Sequence, residues 1–127
     1  MSEIPKPYFH KSPPPSPRHR REWEETVLPH YLSNGAIVEL PCRPRHVHAA
    51  FFVPKKDGGL RLIIDLRPLN KYFPTMTVKY ENLAFLRFVP SDVSFGLSID
   101  LADGYHHLRL HPAIRQYFNF EYNDKFY

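Results

Sequence analysis

Two apolar segments on either side of a basic turn constrain the fold of this chain more than any other feature. Residues 47–53 (VHAAFFV) and 60–66 (LRLIIDL) are rich in β-branched and aromatic side chains, and PKKDGG separates them. Glycine adopts the positive φ that a tight turn needs, so this pattern predicts a β-hairpin with a basic tip. Alternation along the second strand places Leu62 and Ile64 on one face and Arg61 on the other.

The rest of the chain is predicted to form short helices and strands. Residues 23–34 are typical of a helix, since two glutamates lie in the first turn and a glycine follows its end, although Pro29 should kink or split it. Periodicity further predicts a helix at 79–88, a buried strand at 95–101, a short helix at 112–117 and a hairpin within 118–127. The chain stops inside that hairpin, which suggests truncation.

The first 22 residues differ from the others in composition. They hold six of the 14 prolines and five Lys or Arg. Proline lacks the N–H that helices and sheets use, so we predict a proline-rich, basic, disordered tail at 1–22 and a domain at 23–127. Lys11, Pro14 and Pro17 have the spacing of a polyproline II ligand, and a proline-rich interaction protein is therefore one alternative function.

Composition excludes several classes of protein. Cys42 is the single cysteine, which rules out an internal disulfide framework and a thiolate zinc site. No apolar run approaches the ~20 residues of a transmembrane helix, and the N-terminus lacks the apolar region of a secretory signal. We expect an intracellular protein without a membrane partner; the sequence does not distinguish nucleus from cytoplasm.

Charge is concentrated in the region of the predicted hairpin. Residues 43–71 carry seven Lys or Arg against two Asp, which suits a polyanionic ligand but also an ordinary solvated surface. On the hairpin, Arg61 could bind a phosphate through two hydrogen bonds and Lys55 could act as a point charge. A non-catalytic nucleic-acid-binding remnant is therefore a second alternative function.

Candidate metal ligands follow the predicted strand at 95–101. Asp100 lies at its end and Asp103 three residues later, and Mg²⁺ prefers carboxylate, water and phosphate oxygens. A turn or a helix cap is the commoner role of such an aspartate. Tyr105 could stack on a sugar or a base, or it could equally be a core tyrosine.

Two segments together resemble the reverse transcriptases of retroelements. FFVPKKDGGLRLIIDLRPLNKY (51–72) is similar to their fingers hairpin, and LSIDLADGYHHLRLHPAIRQYFNFEYNDKFY (97–127) to the palm segment with the first catalytic aspartate. GAIVEL (35–40) fits the lead-in, and ENL (81–83) resembles DIRS-like or gypsy-like elements. The resemblance implies an α+β fold, a partial right-hand polymerase with a fingers hairpin and an incomplete antiparallel palm sheet.

The resemblance also implies roles for individual residues. Asp100 would be catalytic and would bind two Mg²⁺ ions, and the backbone carbonyl of Leu101 would be a further metal ligand. The nucleotide-binding group would be Lys55, Arg61, Leu101, Asp103, Gly104 and Tyr105. The template and fingers group would be Asp65, Arg67 and Asn70. In such enzymes two metals activate the 3′-hydroxyl and stabilise the leaving pyrophosphate, while cations neutralise the triphosphate.

One part of the family pattern is absent. Reverse transcriptases also use a Tyr-x-Asp-Asp motif, and this sequence contains no adjacent pair of aspartates. We therefore expect a truncated reverse transcriptase domain, fingers and start of palm, that is inactive alone. The parent enzyme would perform RNA-directed DNA synthesis with Mg²⁺, an RNA or DNA template-primer and dNTP. A separate C-terminal half of the polymerase is a possible partner.

Overall fold

The computed structural model describes residues 3–127. Its strands are β1 (Tyr8–Phe9), β2 (His46–Pro54), β3 (Leu60–Ile64), β4 (Phe120–Tyr122) and β5 (Lys125–Phe126). Its α-helices are α1 (Pro17–Glu22), α2 (Leu28–Ser33), α3 (Arg67–Asn70) and α4 (Pro112–Arg115). A π-helical turn (Trp23–Val27) joins α1 to α2, and two 3₁₀ helices cover Leu83–Phe88 and Gly104–His107.

Strand β2 organises the sheet. It pairs with β3 in the predicted antiparallel hairpin, with Phe52 opposite Leu62. It also pairs in parallel with β1 and with β4, and β5 pairs antiparallel with β4. The carbonyl of Val47 accepts from the N–H of His10, the residue after β1, and that of Ala49 from the N–H of Asp65, the residue after β3. β1 and β3 therefore follow each other along one edge of β2. The result is a small curled sheet of an α+β fold.

Aromatic side chains form the core between the helical segment and the sheet. Trp23 is 1% exposed, and its ring centroid lies 4.9 Å from that of Tyr122 and 5.2 Å from that of Tyr127. The buried members of this cluster are Trp23, Ala50, Phe52, Leu60, Phe120, Tyr122 and Tyr127. Leu62 and Ile64 pack against it, as alternation along β3 predicts.

The predicted helix at 23–34 is present but begins earlier, at Pro17. Pro29 neither splits nor ends it. Proline offers no N–H and crowds the carbonyl four residues before it. The π-helical turn ahead of Pro29 accommodates this, since the N–H of Leu28 donates to the carbonyl of Trp23, five residues back.

The proline-rich segment is ordered where we predicted disorder. Tyr8 and Phe9 form a strand on β2, and Ser12 is 5% exposed. Ser16 caps α1, its side chain accepting from the N–H of His19, and Pro17 occupies the first turn, where a helix needs no N–H from it. The prolines therefore lie at positions that cost no backbone hydrogen bond. A separate unit at 23–127 stays a prediction.

Two predicted elements of the middle segment are wrong. Residues 79–88 form only the short 3₁₀ helix at Leu83–Phe88 in place of a longer helix. Residues 95–101 are not a buried strand: Phe95, Leu97 and Ile99 are 89%, 86% and 79% exposed. An extended segment becomes a strand only when another strand pairs with it, and no segment of residues 3–127 does so here.

Candidate nucleotide and nucleic-acid site

The tip of the β2–β3 hairpin is a tight turn that exposes cations. The N–H of Lys55 donates to the carbonyl of Gly59 over 2.8 Å, and Gly58 has a φ of 84°. This conformation favours glycine and projects the side chains of Lys55 and Lys56 into solvent. A guanidinium from helix α1 supports the turn, since Nη2 of Arg18 donates to the carbonyl of Gly58 over 2.7 Å.

Arg61 lies on β3 and is exposed, opposite Val53 of β2. Neither Arg61 nor Lys55 forms a salt bridge with any residue of the described chain. Both cations are therefore open to an anionic ligand. Their role in nucleotide binding stays a prediction.

The loop after β3 is fixed by an ion pair. Nε and Nη2 of Arg67 donate to Oδ1 and Oδ2 of Asp65 over 2.8 and 2.6 Å. The hydrogen bond from Arg67 lowers the pKa of Asp65 to about 2. The N–H of Asp65 donates to the carbonyl of Ala49, and that of Asn70 to the carbonyl of Leu66. Asp65 and Arg67 therefore hold the base of the hairpin, whereas Asn70 is exposed.

Asp103 is fixed by a contact that the sequence did not indicate. Its Oδ2 lies 2.8 Å from Nε2 of His30, at the end of α2, and this hydrogen bond lowers the pKa of Asp103. One helical residue on, the ring of Tyr31 lies edge-on to that of His106, with centroids 4.7 Å apart. Helix α2 thereby holds the loop that follows Asp100.

The remaining predicted site residues lie in open segments. Asp103 has a positive φ of 50°, and Gly104 begins the 3₁₀ helix that follows. Tyr105 is 95% exposed, so it is not a core tyrosine, and Leu101 is 64% exposed. Asp100 is exposed and forms no salt bridge with the described residues.

The site therefore consists of two groups on different supports. Lys55 and Arg61 lie on the hairpin, and the segment from Asp100 to Tyr105 lies beside α2. No three His, Cys, Asp or Glu side chains within residues 3–127 come together as a metal-binding set. Asp100 and the Leu101 carbonyl nevertheless are oxygen donors of the kind that Mg²⁺ accepts together with water and phosphate oxygens. The metal site stays a prediction.

Two supporting residues, His30 and Arg18, were missed by sequence reasoning. His30 meets Asp103 across 73 positions of the chain, and Arg18 meets Gly58 across 40. Neither pair forms a local motif. In the helical segment, the sequence indicates only the two glutamates of the first turn and the Asn34-Gly35 end. Neither feature predicts what the helix contacts.

Two solved structures have folds similar to that of this chain. The native prototype foamy virus protease-reverse transcriptase matches 99% of this chain with a TM-score of 0.75 and 21% identity. Its selenomethionine-labelled CSH mutant matches with a TM-score of 0.76 and the same identity. This chain spans 16% of the length of either neighbour. No protein-family model matches the sequence, and no curated protein does.

The similarity to these solved structures establishes the fold of the chain. This chain has the fold of a part of a reverse transcriptase, which confirms the predicted α+β class and the partial polymerase architecture. No helix of the described residues is long and apolar enough to cross a membrane.

Proposed function

We propose that this chain is the fingers and first palm segment of a reverse transcriptase, whose parent activity is RNA-directed DNA synthesis. The observation that carries the proposal is the match of 99% of the chain to the foamy virus enzyme, with a TM-score of 0.76. The motifs at 51–72 and 97–127 agree with it independently of the fold. The sequence details at 81–83 support a DIRS-like or gypsy-like element as the source.

The proposed chemistry assigns each group of the site a task. Arg61 and Lys55 bind the triphosphate of an incoming dNTP, since both cations are exposed and lack salt bridges in the described chain. Asp100 and the Leu101 carbonyl would hold Mg²⁺, which would supply positive charge to neutralise the oxygens of the reacting phosphate.

The loop after Asp100 contributes the sugar pocket. Tyr105 presents its ring to solvent and can lie against the deoxyribose of the dNTP, with Gly104 leaving room for it. Asp103 shapes the 3′-hydroxyl pocket while His30 holds its carboxylate in place. Asp65, Arg67 and Asn70 act on the template side by fixing the base of the hairpin.

The chain alone is proposed to be inactive. Asp100 alone cannot complete the coordination of two metal ions, and the sequence has no adjacent Asp pair to supply the remaining carboxylates. The exposed alternation of Phe95, Leu97 and Ile99 supports the same idea, because a strand of another polymerase segment could pair there. That other segment is proposed to carry the Tyr-x-Asp-Asp motif.

Triphosphate binding tests this proposal directly. We expect Mg²⁺-dATP to bind the 127-residue protein more tightly than dAMP in calorimetry, and Arg61→Gln and Lys55→Gln to weaken it severalfold. Arg87→Gln, on an exposed 3₁₀ helix, is the matched control. Equal affinity for dATP and dAMP, or binding unaffected by both hairpin variants, would refute the assignment.

Primer extension tests the predicted inactivity. We expect no product on an RNA template with a DNA primer and Mg²⁺. Extension that is abolished by Asp100→Ala would show that this chain holds a complete metal site. Extension that survives Asp100→Ala would instead show that Asp100 is not the catalytic aspartate.

A non-catalytic nucleic-acid-binding remnant is the second candidate function. The excess of cations in residues 43–71 favours it, since Arg67 alone among them is in a salt bridge within the described chain. Such a protein would bind RNA or DNA with an affinity that falls steeply with salt, and Asp100→Ala would leave binding unchanged. Binding that is flat between low and moderate salt would exclude it.

A further inference from the structure

An extended, proline-rich segment leads from β1 into helix α1. It covers residues 11–17 (KSPPPSP), and we call it the proline ridge. Proline fixes φ at about −65°, and the residue before a proline avoids helical backbone. Each residue of 12–16 is a proline or precedes one, so the ridge favours the polyproline II conformation. Ser16, at its end, has a φ of −63° and a ψ of 160°, which belong to this region.

The ridge is held at both ends. Near its start, the hydroxyl of Ser12 joins β2 to β4, and the N–H of Ser12 donates to Oε2 of Glu121 over 2.7 Å. At the other end, the side chain of Ser16 caps α1. Between these anchors, no carbonyl of residues 11–15 accepts a hydrogen bond from a backbone N–H of the described chain. The two anchors therefore impose the extended shape and leave the backbone oxygens open to another molecule.

Burial along the ridge repeats every three residues. A polyproline II helix has three residues per turn, so positions three apart share an edge. Ser12 is 5% exposed and Pro15 is half-buried, and these two form the edge that faces the protein. The other two edges are exposed throughout. They consist of Lys11, Pro14 and Pro17, and of Pro13 and Ser16.

This arrangement suits one mode of peptide recognition. Polyproline II segments bind grooves lined with aromatic side chains, and they do so at a low entropy cost because the helix is preformed. A groove can contact two edges of a three-edged helix, while the third edge points away from it. On the proline ridge, the third edge is the one that Ser12 and Pro15 hold against the protein. The ridge can therefore enter such a groove without leaving the sheet.

A cation lies at the N-terminal end of the ridge. Nζ of Lys11 lies 3.4 Å from Oδ1 of Asp124, and these side chains are 67% and 83% exposed. An exposed ion pair contributes little to stability, so Lys11 can exchange Asp124 for an acidic side chain of a partner. Lys11 also precedes Pro14 by one turn of polyproline II and shares its edge. The complementary surface is an aromatic groove with an acidic residue at one end.

We propose that the proline ridge is a docking site for a protein domain of the SH3 type. The aromatic groove of that domain takes Pro14 and Pro17, and an acidic residue beside the groove pairs with Lys11. The inference goes beyond the polymerase assignment and does not depend on it, since no residue of the ridge belongs to the candidate site. Spacing alone indicates such a ligand, whereas the anchors and the exposed edges come from the fold.

An NMR titration tests the proposal on the full chain. The probe is an isotope-labelled SH3 domain that binds basic-x-x-Pro-x-x-Pro peptides, and the unlabelled 127-residue protein is added to it. We expect the signals of its aromatic groove to shift. Pro14→Ala and Pro17→Ala each remove two ring carbons that the groove would bury, and each should weaken binding roughly 10-fold. Both variants should fold, since Pro14 is exposed and alanine suits the first helical turn at Pro17.

Pro15→Ala is the matched control. It makes the same chemical change in the same segment, but Pro15 lies on the edge that faces the protein, so affinity for the SH3 domain should be nearly unchanged. Circular dichroism checks that each variant folds. If Pro15→Ala alters the spectrum, Pro90→Ala replaces it, because Pro90 is an exposed proline outside the ridge.

The cation at the end of the ridge is tested in two directions. Lys11→Gln removes the charge and should weaken binding about 2–5-fold, the size of an exposed ion pair. Asp124→Asn removes the competing carboxylate and should leave binding as tight as in the wild type or tighter. Asparagine is tolerated at the positive φ of 61° that Asp124 adopts, so the turn should persist. Weaker binding in Asp124→Asn would contradict the assigned role of Lys11.

The pattern across the variants decides the outcome. Losses confined to Pro14→Ala, Pro17→Ala and Lys11→Gln would support the ridge as the docking site. No shift of the groove signals with the wild-type chain, or equal affinity of the wild type and both proline variants, would overturn the proposal. An equal loss in Pro14→Ala and Pro15→Ala would also overturn it, since the segment would then bind only after leaving the sheet.

Discussion

Ser12→Ala should destabilise the protein far more than an ordinary serine substitution. Ser12 fills the gap where β2 and β4 diverge. Its hydroxyl donates to the carbonyl of Glu121 on β4 and accepts from the N–H of Ala50 on β2 over 2.8 Å. Its own N–H donates to Oε2 of Glu121 over 2.7 Å, and the substitution leaves that bond intact.

The expected magnitude follows from what the missing hydroxyl leaves behind. Ala50 is 0% and Glu121 3% exposed, so their backbone groups cannot turn to water instead. An unsatisfied buried donor or acceptor costs about 1–3 kcal/mol. Two such groups give an expected loss of about 2–6 kcal/mol in the free energy of unfolding.

Urea denaturation followed by tryptophan fluorescence measures this loss, since Trp23 is the single tryptophan and is buried in the core. Ser94→Ala is the matched control: Ser94 is exposed and makes one bond of 3.4 Å, to the carbonyl of Asp92. Its effect should be below about 0.5 kcal/mol. A loss below 1 kcal/mol for Ser12→Ala would show that the N-terminal segment does not dock as described.

Three further predictions concern protonation and turn geometry. Burial lowers the pKa of His48, so below pH ~6.5 the unfolded chain takes up a proton that the folded chain resists. The urea concentration at the unfolding midpoint should therefore be lower at pH ~5.5 than at pH ~7.5, and equal midpoints at the two pH values would contradict this. Gly58→Ala places a side chain at a φ of 84° and should cost about 1–2 kcal/mol in thermal unfolding. Gly96→Ala is the control: a Cβ meets no neighbour within 4 Å at either position, but the φ of Gly96 lies outside the left-handed region, so this change should cost much less. NMR titration of Asp65 should give a pKa of about 2, so its ion pair with Arg67 is present above pH ~3.9 and is lost as the pH falls toward 2. Arg67→Gln should return the pKa of Asp65 toward ~3.9, and an unchanged pKa would refute the pairing.

Local patterns predicted local structure well. The β2–β3 hairpin forms around the turn that Gly58 permits, and the final hairpin turns at Asn123 and Asp124, both with positive φ of 52° and 61°. Turn chemistry and alternation act over a few residues, so the sequence displays them directly.

The conformation of residues 95–101, by contrast, could not be predicted from the local pattern. Its alternation of apolar side chains is what a buried strand requires, yet its side chains are exposed. Alternation describes which faces a strand would have, whereas pairing depends on a second strand that no described residue of this chain supplies.

By itself the sequence determined the β2–β3 hairpin, the presence of a helix within 23–34, and the residue types that resemble a reverse transcriptase. The tertiary structure alone decided that Ser12 joins β2 to β4, that His30 holds Asp103, and that β1 pairs with β2. The physical reason is distance along the chain. Turns and periodicity depend on neighbouring residues, while these contacts join residues from 38 to 109 positions apart and exist only once the sheet has formed.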